Sequence, residues 1–199
     1  MKPALRIAAA LACAALALCG CDKLASSKTP FKGIDVTGAA MGRELHLTDH
    51  NGTPRSLADF RGKVVVVNFG YTQCPDVCPT TLADLASAVK KLGPDASRVQ
   101  VLFVTVDPKR DKAELLRQYV PAFNPDFLGL YGDEAATRKA TAEFKVYAQE
   151  RAGKTADTYT VDHTAQVFTF DREGRLRLVF GYGATPEAMA SDFRILLNS

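Results

Sequence analysis

Two cysteines four positions apart are the residues of this chain best suited to chemistry. They are Cys74 and Cys78, in the segment GYTQCPDVCP that spans Gly70–Pro79. Such a pair can form a disulfide, act as a redox couple or bind a metal ion. A disulfide across so short a loop stabilises a protein little, so the spacing favours a functional pair. We expect a helix to begin at Pro79 with Cys78 as its N-cap, where the helix dipole stabilises a thiolate.

A metal site on these cysteines needs a further ligand. Thiolates are soft donors that select Cu(I) or Zn(II), and two sulfurs alone seldom complete a selective site. The chain has three histidines, and His163 lies in the segment YTVDHT at Tyr159–Thr164, where we expect it to open a strand beside the cysteine loop. Cys74, Cys78 and His163 are therefore predicted to form one site of two sulfurs and one nitrogen for a soft metal ion, copper or zinc. Asp162 is expected to orient His163 or to tune its basicity.

The other two histidines, His46 and His50, flank an Asn51-Gly52 turn between predicted strands. Their spacing of four residues would suit a metal ion if they lay on one face of a helix. Around a hairpin turn the spacing carries no such meaning, so we expect both histidines to lie in a solvated loop. Tyr71 is expected to pack close to the cysteines.

The first 21 residues have the pattern of an export signal. Lys2 and Arg6 precede the apolar run Ile7–Leu18, which is shorter than the roughly 20 residues of a membrane span. The stretch ends in LCGC, which is similar to a bacterial lipobox. Residues 1–20 are therefore predicted to be removed and Cys21 to be lipidated, with ordinary signal cleavage as the alternative. The acidic residue that follows predicts retention at the inner membrane, with the domain facing the periplasm.

Export simplifies both the cysteine count and the charge. Cys13 and Cys19 leave with the signal and Cys21 becomes the anchor, so Cys74 and Cys78 remain in the folded body, in an oxidising compartment. Without the two cations of the signal, 23 basic residues stand against 22 acidic ones. Because the positive and negative charges nearly cancel, the composition argues against a nucleic-acid binder, which needs clustered positive charge.

The rest of the chain alternates strand and helix patterns. Residues 21–42 are predicted to be a lipidated tether and residues 43–199 a thioredoxin-like copper-binding domain. The predicted fold class is α/β, a mixed sheet sandwiched by helices with an N-terminal hairpin extension. Strands are predicted at Lys63–Phe69, Val99–Val106, His163–Phe170 and Arg175–Phe180. Helices are predicted to start near Pro79, Asp111, Glu134 and Thr185, and Lys109–Lys112 is expected to be a solvated helix start.

Three motifs together give the chain a wider resemblance. They are GYTQCPDVCPTTL around the cysteines, TVDPKRD at Thr105–Asp111 and VDHT at Val161–Thr164. In this order and at these separations they resemble the Sco (SenC) family of membrane-anchored copper proteins. The resemblance covers about residues 43–197. A lone C-x-x-x-C would be a weak signal, whereas the same spacing followed by D-H-T is a specific one.

The resemblance implies a copper metallochaperone that binds copper, as Cu(I) or Cu(II), through Cys74, Cys78 and His163. It implies delivery of that copper to the copper-A centre of cytochrome c oxidase and reduction of the cysteines of that centre. The implied partners are the copper-A-bearing subunit and other periplasmic copper chaperones or thiol reductants. Asp107 matches a recurrent family position and is expected to shape the site.

A thiol–disulfide oxidoreductase is the alternative function. Thiolate exchange needs Cys74 and Cys78 but not His163, so the sequence leaves open whether the chain is an enzyme. A relative of the peroxiredoxins fits poorly, because that class requires a threonine three residues before its attacking cysteine. Tyr71 and Pro75 occupy those positions. A copper or redox sensor would use the same three residues.

Overall fold

The computed structural model describes residues 30–153 and 158–199. The predicted signal peptide, Cys21 and residues 22–29 of the predicted tether lie outside this part of the chain. The strands are β1 (Ile34–Asp35), β2 (His46–Asp49), β3 (Pro54–Ser56), β4 (Val64–Gly70), β5 (Val99–Thr105), β6 (Leu128–Tyr131), β7 (Ala148–Ala152), β8 (Tyr159–His163), β9 (Val167–Phe170) and β10 (Leu176–Phe180). The α-helices are α1 (Val77–Lys90), α2 (Ala113–Tyr119), α3 (Glu134–Glu143) and α4 (Pro186–Leu197). Short 3-10 helices occupy Leu57–Phe60 and Gly93–Arg98.

An eight-stranded mixed sheet forms the centre of the described chain, in the order β1-β10-β9-β4-β5-β6-β2-β3. Strands β4, β5 and β6 run parallel, and the other neighbours are antiparallel. Every residue of β4 and β5 is buried, as their valine-rich sequences predict. Helix α1 packs against α4, and α4 also contacts β4. This mixed sheet with helices packed on it confirms the predicted α/β class.

The ends of two helices test the capping predictions. Helix α4 begins as predicted, with Thr185 as N-cap and Pro186 at its first position. Helix α1 begins at Val77 with Asp76 as N-cap, so the prediction that Cys78 is the cap is wrong. Proline fits in the first turn of a helix because the N–H groups there have no acceptor within the helix, so the N–H that Pro79 lacks breaks no helical hydrogen bond. Cys78 therefore lies in the first turn of α1.

The segment before α2 is largely buried, although its charged sequence predicts exposure to solvent. Lys112, and not Asp111, is the N-cap of α2. Asp111 is 0% exposed and accepts hydrogen bonds from the Thr72 backbone N–H (3.0 Å), the Thr72 hydroxyl (2.6 Å) and the Thr105 hydroxyl (2.6 Å). The carboxylate thus ties the cysteine loop to the end of β5. The neighbouring Arg110 side chain is only 17% exposed, so the solvated-start prediction is wrong for both residues.

The strand predicted over His163–Phe170 is two separate strands. Strand β8 ends at His163, and β9 begins at Val167. Strand β9 lies in the main sheet between β4 and β10, whereas β8 pairs with β7 in a two-stranded ribbon. His163 therefore closes a strand instead of opening one. Neither β6 nor β7 was predicted from an apolar pattern, because β6 has only four residues and β7 is polar and fully exposed.

The last part of the predicted tether is folded onto the domain. Strand β1 pairs with β10, with Ile34 opposite Val179. The backbone N–H groups of Lys32 and Gly33 donate to the carboxylate of Asp192 in α4, at 2.7–3.0 Å. None of the described helices combines the length and the apolar character that crossing a membrane requires.

Candidate metal centre

The three predicted ligands meet at one point. The Sγ atoms of Cys74 and Cys78 and a ring nitrogen of His163 all lie within 4.8 Å of one another. Cys78 Sγ lies 3.3 Å from His163 Nε2. Within residues 30–153 and 158–199 this is the one group of three or more such side chains with metal-binding geometry. The structure thus brings together residues that the sequence separates widely.

The junction of β4 and α1 positions the two cysteines. Strand β4 ends at Gly70, and the loop that follows carries Cys74 to the start of α1. The backbone N–H of Cys78 donates to Cys74 Sγ at 3.4 Å, so a free N–H of the helix start supports the sulfur. Cys78 is only 2% exposed, while Cys74 is half-buried. Both thiols are free, and Cys74 is the solvent-facing side of the site.

Gly70 makes room for the buried sulfur. A Cβ atom at this position would lie 2.9 Å from Cys78 Sγ and 2.7 Å from the ring of Phe103. Both separations are shorter than carbon contacts allow, because packed atoms approach to about 3.5–4.0 Å. The glycine at the end of β4 is therefore a steric requirement of the site.

The histidine enters from the β7–β8 ribbon with a defined tautomer. His163 Nδ1 lies 3.1 Å from the carbonyl oxygen of Thr164. A carbonyl oxygen only accepts, so Nδ1 carries the proton and the lone pair of Nε2 faces Cys78. The ring of Tyr71 packs edge-on against the imidazole, with centroids 6.0 Å apart. Tyr71 is buried beside the cysteines, as predicted.

The two aspartates predicted behind the ligands occupy different places. Asp162 pairs with Arg151 (2.7 Å) on the exposed side of the ribbon, so a backbone carbonyl, and not this carboxylate, orients the His163 ring. Asp107 is 2% exposed and accepts a hydrogen bond from the Tyr159 hydroxyl at 2.7 Å. Asp107 therefore lies beside Tyr159, the first residue of the strand that ends in His163.

Comparison with known proteins identifies the family of this chain. The SCO1/SenC family model matches residues 35–198. The chain belongs to the SCO1/SenC family. Relatives of this SCO1/SenC protein include the mitochondrial SCO2 homologue of Mus musculus, 36% identical over 78% of this chain and 62% of the relative. The SCO2-like protein RP587 of Rickettsia prowazekii is 34% identical over 76% of each chain.

A solved structure of a related protein contains copper. It is ScoI of Bradyrhizobium japonicum with copper bound, 39% identical, with a TM-score of 0.73 over 80% of this chain and 100% of that one. The likeness confirms the thioredoxin-like Sco fold. The SCO1/SenC chain described here spans about three fifths of the length of its mammalian relatives.

The donor set of this SCO1/SenC protein suits copper. Two sulfurs and one imidazole nitrogen are soft and borderline donors, which favour Cu(I), Cu(II) or Zn(II). The group offers no oxygen ligand, whereas Ca²⁺ and Mg²⁺ require several. Three donors around one point can hold a single ion, and the exposed side at Cys74 gives a partner access to it.

Burial sets the protonation of the metal-free site. It raises the pKa of the Cys78 thiol, an effect that nearby Cys74 reinforces and that a backbone hydrogen bond at Tyr71 opposes. It also lowers the pKa of His163, against the smaller opposing effects of Thr164 and Asp162. The expectation that the helix end lowers the pKa of Cys78 is wrong, because desolvation is the larger effect. A neutral imidazole is ready to bind a metal, whereas Cys78 must release its proton first.

The remaining histidines of the SCO1/SenC chain lie away from this group. His46 is exposed at the start of β2. His50 is 4% exposed, and its Nδ1 accepts a hydrogen bond from the Gly129 N–H at 3.0 Å. The expectation of a solvated loop is therefore wrong for His50, which joins the β2–β3 turn to β6.

Two residues that lie beside the site, Arg110 and Tyr159, were not predicted from the sequence to belong to it. Arg110 contacts both the cysteine loop and the β7–β8 ribbon, and Tyr159 packs under the guanidinium. A signal existed, because Arg110 belongs to the TVDPKRD motif. The charged run around it gave the pattern of a solvated helix start, and that pattern conceals a buried contact.

Proposed function

We propose that this chain is a membrane-anchored copper metallochaperone that binds one copper ion at Cys74, Cys78 and His163. It delivers copper to the copper-A centre of cytochrome c oxidase during assembly of that enzyme. The observation that carries the proposal is the convergence of one imidazole and two thiols within 4.8 Å. The SCO1/SenC membership and the copper-bound relative from Bradyrhizobium japonicum support it.

Transfer proceeds by ligand exchange. The copper ion is the cargo, and a thiolate or imidazole of the acceptor replaces one donor of this site at a time. An acceptor reaches Cys74 before it reaches Cys78. Cys74 is partly exposed to solvent, whereas Cys78 is only 2% exposed. The buried Cys78, together with the half-buried His163, retains the ion until the acceptor has supplied its own ligands.

Anaerobic copper titration of the soluble domain tests the binding site. We expect one copper per chain and, by X-ray absorption, two sulfur ligands and one nitrogen ligand. Changing Cys74, Cys78 or His163 to alanine, one at a time, should weaken copper binding at least about tenfold. His46→Ala is the matched control, since His46 is exposed and remote from the three donors. Undiminished copper binding in His163→Ala would mean that the proposed site is wrong.

A thiol–disulfide oxidoreductase is the second candidate, favoured by the two free thiols and their proximity. One thiolate attacks a disulfide of the partner and forms a mixed disulfide. The second cysteine then displaces the partner, which leaves with two reduced thiols while Cys74 and Cys78 become a disulfide. His163→Ala separates the two functions: reductase activity should survive the change, whereas copper binding should not.

The location proposed for the domain follows from the N-terminal sequence. Residues 1–20 form a lipoprotein signal, Cys21 carries the lipid, and residues 21–42 connect the lipid at the inner membrane to the domain. The part of this connection from Lys32 on is folded onto the domain, and residues 43–199 face the periplasm. Metabolic labelling with palmitate in the native host tests this, because Cys21→Ser should abolish both the label and the membrane association. A labelled Cys21→Ser protein would refute the assignment.

A further inference from the structure

The ribbon that carries His163 has little support from the sheet. Strands β7 and β8 pair only with each other among the described strands. All five residues of β7 are exposed. Yet His163, at the end of β8, meets Cys78 at 3.3 Å. Since a lone two-stranded ribbon is marginally stable in water, contacts outside the ladder must hold its position.

Arg110 makes such contacts on both sides of the site. Its Nη1 donates to the carbonyl oxygen of Tyr159, the first residue of β8, at 2.9 Å. The same nitrogen donates to the side-chain oxygen of Gln73, next to Cys74, at 3.1 Å. The guanidinium carbon lies 3.5 Å from the centre of the Tyr159 ring. One side chain thus connects the strand of His163 with the loop of Cys74.

Asp107 fixes the direction of this arginine. One of its oxygens accepts from Arg110 Nε, and the other accepts from the Tyr159 hydroxyl at 2.7 Å. Its side chain is 1% exposed, and that of Arg110 is 17% exposed. Asp107, Arg110 and Tyr159 therefore form a closed triangle of contacts, and little solvent competes for them.

The triangle also reaches the imidazole through an aromatic ring. The guanidinium carbon of Arg110 lies 5.7 Å from the centre of the Tyr71 ring. Tyr71 in turn packs edge-on against His163. The arginine therefore supports both ends of β8, the first through Tyr159 and the last through Tyr71.

We propose that Arg110 is a positioning residue that docks the β7–β8 ribbon on the cysteine loop and so places His163 as the third copper ligand. The inference rests on the proposed function, because it requires copper bound to the three predicted ligands. A lysine cannot replace the arginine, since stacking on Tyr159 while bonding to Asp107, Gln73 and a carbonyl oxygen requires the planar fork of a guanidinium. Charge alone is not sufficient.

A double-mutant cycle tests whether Arg110 acts through His163. In the soluble domain, Arg110→Gln and Arg110→Lys should each weaken copper binding about 10- to 100-fold. In the His163→Ala background the same changes should have little further effect, because the ligand that Arg110 positions is absent. X-ray absorption of the Arg110 variants should retain two sulfur ligands and show less nitrogen.

The spectroscopic result distinguishes positioning from general loss of structure. Arg138→Gln is the matched control: Arg138 pairs with Glu134 on the exposed surface of α3, and its loss should change neither affinity nor ligand count. Tyr159→Phe provides a milder second variant if Arg110→Gln does not fold, because it removes the bond to Asp107 and keeps the ring under the guanidinium. Tyr159→Phe should weaken copper binding less than Arg110→Lys does.

Two outcomes separate failure of this inference from failure of the proposed function. If His163→Ala itself leaves copper binding intact, the proposed site fails. If His163→Ala weakens copper binding while the Arg110 variants bind copper like the parent, the site stands and the positioning role of Arg110 is overturned. The same conclusion follows if the losses of copper affinity caused by the Arg110 and His163 substitutions are additive in the double variants.

Discussion

At the scale of single residues, His163 and His50 use the same ring atom, Nδ1, in opposite ways. In His163, Nδ1 faces the carbonyl oxygen of Thr164, so the lone pair of Nε2 is free for a metal. In His50, Nδ1 accepts the N–H of Gly129, so its lone pair is already engaged. The backbone partner of each ring thus decides which histidine can be a ligand.

The engaged ring of His50 predicts a pH dependence of stability. Burial lowers the pKa of His50, with Arg117 acting in the same direction and Asp49 against it. Below the ordinary histidine pKa of about 6.5, this histidine therefore takes up a proton in the unfolded chain but not in the folded protein. The stability that it contributes is fully present above that pH and is lost as the pH falls below it. Urea unfolding of the metal-free protein at about pH 7.5 and about pH 5 measures this effect. Between the two pH values, the free energy of unfolding should fall less in His50→Gln than in the parent.

His46→Gln is the control for this effect. His46 is exposed at the start of β2, so its removal should leave the loss of stability between the two pH values unchanged. An equal loss in the parent and in His50→Gln would contradict the assignment of the pH dependence to His50.

At the scale of elements, the site depends on how β4 gives way to α1. The last residue of β4 must pass within contact distance of both the Phe103 ring and Cys78 Sγ, which leaves space only for a hydrogen atom on Gly70. The first turn of α1 then directs a backbone N–H at the sulfur of Cys74. Strand end and helix start act together, because neither alone fixes both sulfurs.

Gly70→Ala should displace the buried cysteine. The added methyl group overlaps Cys78 Sγ and Phe103, so we expect about 1–3 kcal/mol lower stability, as for other overpacked cores. Copper affinity should fall with it, since Cys78 moves relative to His163. Chemical denaturation and copper competition measure the two effects separately.

Gly181→Ala is the matched control for that change. A Cβ atom at Gly181 would meet no atom within 4 Å, so neither stability nor affinity should fall. Parent-like stability and copper binding in Gly70→Ala would show that the end of β4 is less tightly packed than the distances indicate.

At the scale of the whole molecule, the first and last described segments hold each other. The carboxylate of Asp192 in α4 accepts the N–H groups of Lys32 and Gly33 and is 0% exposed. Strand β1 then adds to the edge of the sheet at β10. The point at which the chain leaves the domain toward its N-terminus is therefore fixed by a buried charge and not by the strand alone.

Asp192→Asn should release this attachment. The amide keeps one acceptor oxygen but places an NH2 donor beside the Lys32 N–H and removes the negative charge to which both N–H groups bond, which costs about 1–3 kcal/mol locally. Hydrogen exchange at Lys32 and Gly33 should accelerate, while exchange in β4 changes little. Glu187→Gln is the control on the same helix, because Glu187 pairs with Lys91 at the surface. Unchanged exchange at Lys32 and Gly33 in Asp192→Asn would contradict the role of this carboxylate.

Elements whose signals are contiguous in the sequence could be predicted without coordinates. Four successive valines specify a strand buried on both faces, and Thr185-Pro186 marks the start of α4. Such local patterns reflect backbone propensity and burial of one segment. The choice of Cys74, Cys78 and His163 came from donor chemistry and from the order of three motifs, because softness and spacing can be judged without coordinates.

Which polar residues are buried, and which partners they bond, could be seen only in the folded protein. Asp111 had the pattern of a helix cap, but it lies inside the protein, bonded to Thr105 at the end of β5 and to Thr72 in the distant cysteine loop. Arg110 had the pattern of a solvated charge, but it joins two elements that meet only in the folded state. A short polar motif is compatible with both environments, and long-range packing determines which of them exists, since burial is a property of the neighbours and not of the residue.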